Sequence, residues 1–145
     1  MKTKTTFLCL FMLFAISSWG QKSTPNENPT FYNTERSIFL KGTSKTQDVV
    51  IKVDDKTERL DLSITGLVSI GEVAIEIYDP KGKKQSNFNI KNQLSLDTEN
   101  KGAVREDVKG EISKSIIEPQ IGNWIVKLIP KDVYANIKIK TQVKL

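Results

Sequence analysis

The chain has 145 residues, with 22 Lys+Arg against 17 Asp+Glu, no His and a single Cys, and 38% of it is apolar. That length fits one domain, and the missing His excludes Ser-His and Cys-His nucleophile pairs, His acid–base chemistry and His-ligated zinc. One Cys permits neither an internal disulfide nor a Cys-cluster metal site.

The first twenty residues carry the three parts of a secretory signal peptide. Lys2 and Lys4 supply the positive start, and residues 7–16 form an unbroken apolar run. Ser18 and Gly20 then stand three and one positions before a cut between Gly20 and Gln21. The run is too short to cross a bilayer as a helix. A lipid-modified Cys would follow such a run, whereas Cys9 lies inside it. The expectation is a secreted or periplasmic protein, soluble and not inserted in a membrane once this segment is removed. No Asn-x-Ser/Thr sequon occurs, which fits a bacterial exported protein. The exported product keeps 20 basic and 17 acidic residues and has neither Cys nor His. Its core must hold it without a covalent staple, and a chain of this size buries roughly two-thirds of its unfolded surface.

Residues 21–34 are polar, contain Pro25 and Pro29 and lack periodicity, so they read as a flexible leader ending at Phe31 and Tyr32. A single domain follows over residues 35–145. From Arg36 onward the apolar period becomes two. Ile38 and Leu40, then Val49, Ile51 and Val53, then Leu60, Leu62 and Ile64 alternate with polar neighbours before Gly66 intervenes. Val73, Ile75 and Ile77 continue the pattern. Asp79-Pro80-Lys81-Gly82 has type I turn chemistry and sends the chain back into a strand holding Phe88 and Ile90. Residues 97–109 read as a long loop with at most one helical turn, because Gly102 interrupts the only helical candidate. A strand near residues 112–117 ends at Pro119 and Gly122, the Trp124, Val126 and Leu128 strand follows, and Pro130 is expected to close it. Ile137, Ile139 and Val143 form the last strand. Alternation places one apolar face of each strand on a core and one polar face in water. About eight short strands with little or no helix predict an all-β fold, an antiparallel β-sandwich of jelly-roll type.

The second half carries a recurrent pattern. A Val-x-Ile-x-Ile-Tyr strand enters the Asp79-Pro80-x-Gly82 turn, Gly110-x-Ile112 follows a polar stretch, and Gly122-Asn123-Trp124-x-Val126-x-Leu128 precedes a closing Ile137-x-Ile139. Over roughly residues 36–145 this resembles the bacterial pre-peptidase C-terminal domain and its jelly-roll relatives, including the P-domain of secreted proteases. The resemblance rests on a turn and a core strand, so it implies the fold more than an activity. It also implies binding or stabilising roles, and calcium held by acidic loops in some members. Those domains usually hang from an enzyme, and this chain has no room for a catalytic domain.

Loop carboxylates are the metal candidates. Asp54-Asp55, Asp97-x-Glu99 and Glu106-Asp107 all fall in predicted loops, where oxygen clusters suit a hard cation such as Ca²⁺. No Asp-x-Asp-x-Asp-Gly loop is present, and basic residues neighbour each group, so solvated turn acids are the simpler reading and no cofactor is assigned. Nothing in the spacing selects a glycosidase carboxylate pair, and neither Gly-x-Ser-x-Gly nor a Gly-rich phosphate loop occurs. Trp124 and Phe88 lie in phase with core residues, which leaves Tyr32, Tyr78 and Tyr134 as the aromatic ligand-binding candidates. Lys138, Lys140 and Lys144 line one face of the final strand, where lysines would deter edge-to-edge pairing. A small positive charge and no interleaved aromatics argue against nucleic acid. The reading is a non-catalytic binding module of the bacterial envelope or its exterior, its ligand a protein or a surface glycan. The alternative is a small secreted hydrolase or a calcium-dependent accessory domain using the loop acids.

Overall fold

Six strands account for most of the described chain, and their burial follows the period of two. A computed structural model describes residues 29–43, 45–92 and 106–145. The strands are β1 (Phe31–Thr43), β2 (Gln47–Val53), β3 (Arg59–Tyr78), β4 (Lys84–Asn92), β5 (Val108–Ile117) and β6 (Gly122–Lys144). All pairings are antiparallel. The predicted signal peptide, residues 21–28 of the predicted leader and the 97–105 part of the predicted loop lie outside the described residues.

The long strands β3 and β6 pair with each other along their length, from Arg59 opposite Lys144 to Tyr78 opposite Ile125. Each carries two shorter strands on its outer side. On β6, β1 covers positions 133–144 and β2 covers 122–128. On β3, β5 covers 59–68 and β4 covers 71–78. The result is four parallel tracks, β1 with β2, then β6, then β3, then β4 with β5, and all four are interrupted at one level. The first breaks between β1 and β2. β6 has Asp132 at φ 43°, β3 has Gly71 at φ 79°, and on the last track β4 ends at Asn92 and β5 begins at Val108.

At that level the inward phase changes. Leu60, Leu62, Ile64, Val68 and Ile70 are buried on β3 before the break, and Val73, Ile75 and Ile77 after it. On β6, Trp124, Val126 and Leu128 give way to Val133, Ala135, Ile137 and Ile139. One extra residue in a strand flips every later side chain to the other face. Here the flip keeps apolar side chains inside after the sheet doubles back on itself. Two four-stranded halves face each other: β1, β6, β3 and β5 in the first, β2, β6, β3 and β4 in the second. One apolar cluster joins them, with Leu40, Leu60, Ile64 and Ile137 from the first half and Val53, Ile75, Ile77, Trp124 and Leu128 from the second.

The expected all-β antiparallel sandwich is therefore what the chain forms, with six strands instead of about eight. The 60–65 and 73–78 strands are one strand, β3, and the 124–128 and 137–143 strands are one strand, β6. Pro130 does not close a strand; it lies inside β6, opposite Val73. Its missing N–H is tolerated because Leu128 is the last residue paired to β2 and Val133 the first paired to β1. Two further corrections concern the ends. β1 starts at Phe31, so residues 31–34 of the predicted leader are strand, held by pairing to residues 141–144. The last strand is central, not an edge. Lys138 and Lys140 pair with Glu35 of β1 at 3.0 and 3.4 Å, and Lys144 pairs with Glu58 at 2.6 Å.

Candidate functional site

The tyrosines singled out from sequence do not meet. Tyr32 stands on β1, 58% exposed, and Tyr134 on β6 near the break, 42% exposed. Tyr78 is half-buried at the far end of β3. Its hydroxyl donates to Glu76 Oε2 at 2.6 Å, and the Lys84 and Lys127 ammonium groups lie 5.8 and 5.6 Å from its ring centre. That ring is thus engaged by its own sheet and is not the free platform expected. The Lys84 ammonium and the Tyr78 hydroxyl bonding Glu76 hold its carboxyl below the ordinary value.

The acidic candidates separate as well. Asp54 closes the β2–β3 turn, its Oδ1 accepting from Lys56 N–H at 3.1 Å and the Thr57 hydroxyl at 3.0 Å. Asp55 is exposed beside it. Asp97 and Glu99 lie outside the described residues. Among the described residues no group of three or more metal-ligating side chains comes together.

Two concavities among the described residues offer room for a ligand. The smaller, about 360 Å³, opens between β1 and β2, where inward-phase Tyr32 and Arg36 stand above Ile51, Ile139 and Val143. The larger, about 730 Å³, is an open hollow on the outward face of the first half-sheet. Two cross-strand rows build it. Asn33, Gln142, Asp61 and Ser115 form one, and Glu35, Lys140, Ser63 and Ser113 the next. These side chains are out of phase with the buried rows and so must face water. Serines at three of the eight positions leave the depression, and the longer Glu35, Lys140 and Gln142 stand on its β1–β6 side.

Its charges are held in place. Arg59 Nε donates to Asp61 Oδ2 at 2.8 Å. Glu35 spans Lys138 and Lys140, and the hydrogen bond from Lys138 holds its carboxyl below the ordinary range. The hollow thus offers hydroxyl, amide, carboxylate and ammonium groups on rigid strands, with no aromatic side chain among its lining residues. Both of its carboxylates are engaged by cations, Asp61 by Arg59 and Glu35 by Lys138 and Lys140. On the same outward face, Phe39 at 66% and Leu67 at 41% exposure flank Asn136. The Oδ1 of Asn136 is buried and has no hydrogen-bond donor among the described residues.

This hollow is not marked as a site in the sequence. The signal lay in the polar half of each alternation, in Ser63, Ser113 and Ser115, which are small polar residues inside β-rich runs.

No protein-family model matches the chain, and no curated protein matches it significantly. Among solved structures, one described as "Bacillus endospore appendages form a novel family of disulfide-linked pili" is similar, with 10% identity over 97% of this chain and 96% of that chain. The TM-score is 0.39. A likeness at that level carries no argument about what this chain does.

Proposed function

We propose that this chain is an exported, non-catalytic binding module that takes a polar, hydroxyl-rich ligand, such as a surface glycan, in the outward hollow of the first half-sheet. The observation that carries the reading is the lining itself: eight outward polar side chains in two adjacent rows, donors and acceptors mixed, across four rigid strands. Hydroxyls of a saccharide both donate and accept, so amides, serines and paired charges suit them as partners. A site on strands keeps its groups in position, which lowers the ordering cost of binding. The signal-peptide pattern supports delivery to the periplasm or the medium, where envelope glycans are available. The likeness to pre-peptidase C-terminal and P-domain sandwiches supports a binding role as well.

The test is a panel of envelope polysaccharides and oligosaccharides titrated calorimetrically against the protein and against Ser113→Trp. Ser113 is exposed, so the variant keeps the melting temperature while its indole fills the hollow. Binding should fall at least tenfold in Ser113→Trp and stay unchanged in Tyr32→Ala. A ligand whose affinity ignores Ser113→Trp, or a panel with no ligand, overturns the assignment.

A further inference from the structure

β1 is the longest strand with a free side. It has 13 residues against 7, 9 and 10 in β2, β4 and β5, and among the described residues it pairs only with β6. Proteins blunt an exposed edge with shortness, Lys or Pro. β2 is short, β4 carries Lys84 and Lys91, and β5 carries Lys109 and Lys114. β1 instead exposes Phe31, Tyr32 and Phe39, and Lys41 is its sole lysine. Such an edge is a template for another strand.

We infer that the strand taken up by this edge is β1 of a second copy of this chain, paired antiparallel about a two-fold axis with Ile38 opposite Ile38. Continuing the sheet keeps outward residues opposite outward residues, so only registers centred on a single residue are available. Centring on Thr34 sets Glu35 opposite Asn33 and leaves Lys41 outside the ladder, and centring on Glu35 or Arg36 sets like charges face to face. Centring on Ser37 puts Glu35 opposite Phe39 and Lys41 opposite Asn33. Centring on Phe39 stops after two residues on each side, because the ladder is broken at the Gly42 bulge, φ 53°. Centring on Ile38 runs over residues 35–41 and sets Glu35 opposite Lys41 at both ends, with Arg36 opposite Leu40 and Ser37 opposite Phe39. Opposite charges directly across a pair stabilise it and like charges oppose it. Lys41 is exposed and forms no ion pair among the described residues.

The pairing joins two first half-sheets into one eight-stranded sheet and sets the two outward hollows side by side on its face. A repeating ligand could then engage both at once, raising avidity without new contacts. The edge buries less than a standard interface, so the dimer is expected to dissociate on the order of micromolar or weaker.

The experiment uses the full chain carrying Cys9→Ser, purified from a host that exports it, in which no thiol remains. Sedimentation over a hundredfold concentration range should show a monomer–dimer equilibrium, shifted at least tenfold toward monomer by Lys41→Glu. Single cysteines at positions 36, 37, 38 and 39 then read the register under mild oxidation. Directly opposed residues lie within disulfide reach, whereas diagonal ones are about 7–8 Å apart. Ile38→Cys should therefore cross-link and the other three should not. A chain that stays monomeric throughout, an unaffected Lys41→Glu, or fastest cross-linking at 36, 37 or 39 overturns the inference.

Discussion

Among the described residues three polar side chains are buried, Thr57, Asp79 and Asn92, and each sits in a turn or at a strand end. Such places strand amide and carbonyl groups that a ladder would otherwise pair. Asn92, at the end of β4, donates to the carbonyls of Val68, Ser69 and Glu106 at 3.1, 3.0 and 2.9 Å, tying β3 to the start of β5. Asp79 does the complementary work in the β3–β4 turn. Its carboxylate accepts from the N–H groups of Lys81 and Lys83, both at 2.9 Å, and from the Gln85 amide at 2.8 Å. Burial pushes its carboxyl upward, but the N–H of Lys83, the Gln85 amide and the N–H of Lys81 outweigh burial and hold it below the ordinary 3.8. A carboxyl depressed in the folded state adds stability that is complete above 3.8 and is lost as pH falls through its lower folded value. Glu35 and Glu76 shift in the same direction from an ordinary 4.5; Glu35 is exposed to screening solvent and Glu76 is half-buried. The melting temperature should thus be level near neutrality and drop below about pH 4. Asp79→Asn should start lower at neutral pH and fall less steeply, as read by circular dichroism melts from pH 7 to 2. Parallel acid limbs for the two proteins would show that the turn carboxylate is not responsible.

At the level of the strand, apolar alternation marked where backbone would be extended, and the Asp79–Gly82 reversal was readable from its residues alone. Continuity was not. A phase change between Ile70 and Val73, with Gly71 between them, looks the same in sequence whether two strands meet in a turn or one strand bends. The difference lies in what stands alongside: Gly71 pairs with Asn92 on one side and approaches Asp132 on the other. Pro130 posed the same ambiguity, settled by the gap between β1 and β2 at that point of β6. The hollow was harder still, since Asn33 and Gln142 are chain-distant and become neighbours only through β1–β6 pairing. Each of its residues was visible as an outward polar position, but which strands stand side by side is a property of the sheet. The bend itself has a sharp requirement. A Cβ at Gly71 would collide with the backbone carbonyl of Asp132, and φ 79° is a conformation that L side chains resist. Gly71→Ala should cost about 2 kcal/mol or more in urea unfolding, because the obstacle is backbone and cannot rotate away. Gly82→Ala, at φ 78° with no atom near its Cβ position, isolates the conformational part. It should cost roughly 1 kcal/mol. Equal losses at the two glycines would mean that close approach at the bend contributes nothing.

Across the molecule, the two half-sheets hold together on one side through a particular fit. Gly66 of β3 and Gly110 of β5 are direct cross-strand partners, both in the inward phase, so the first half-sheet has a two-residue gap in its inner surface. Ile90 of β4 fills it from the opposite half. A Cβ at Gly110 would come within 2.5 Å of Ile90 Cγ1, and one at Gly66 would strike Ile90 Cδ1. Lys114 reinforces the same side, its ammonium donating to the Gln85 carbonyl at 2.9 Å. On the other side β1 and β2 enclose the open 360 Å³ groove. The doubled sheet is therefore closed at β4–β5 and open at β1–β2, which leaves β1 as the side where further strands can add. If closure depends on Ile90 occupying the glycine gap, volume should be exchangeable across it. Gly110→Ala alone overpacks the gap and should cost about 1–3 kcal/mol. Ile90→Ala alone removes a buried side chain and should cost about 2–5 kcal/mol. In the double variant the added methyl enters space the isoleucine has vacated, so the combined loss should fall short of the sum by at least 1 kcal/mol, above the usual error of additivity of about 0.5 kcal/mol. The cycle is measured by urea unfolding of four proteins, with equal m-values confirming that the unfolded states are comparable. Additive losses would mean that the halves are held by the general apolar layer alone, and the asymmetry between the two sides would then need another cause.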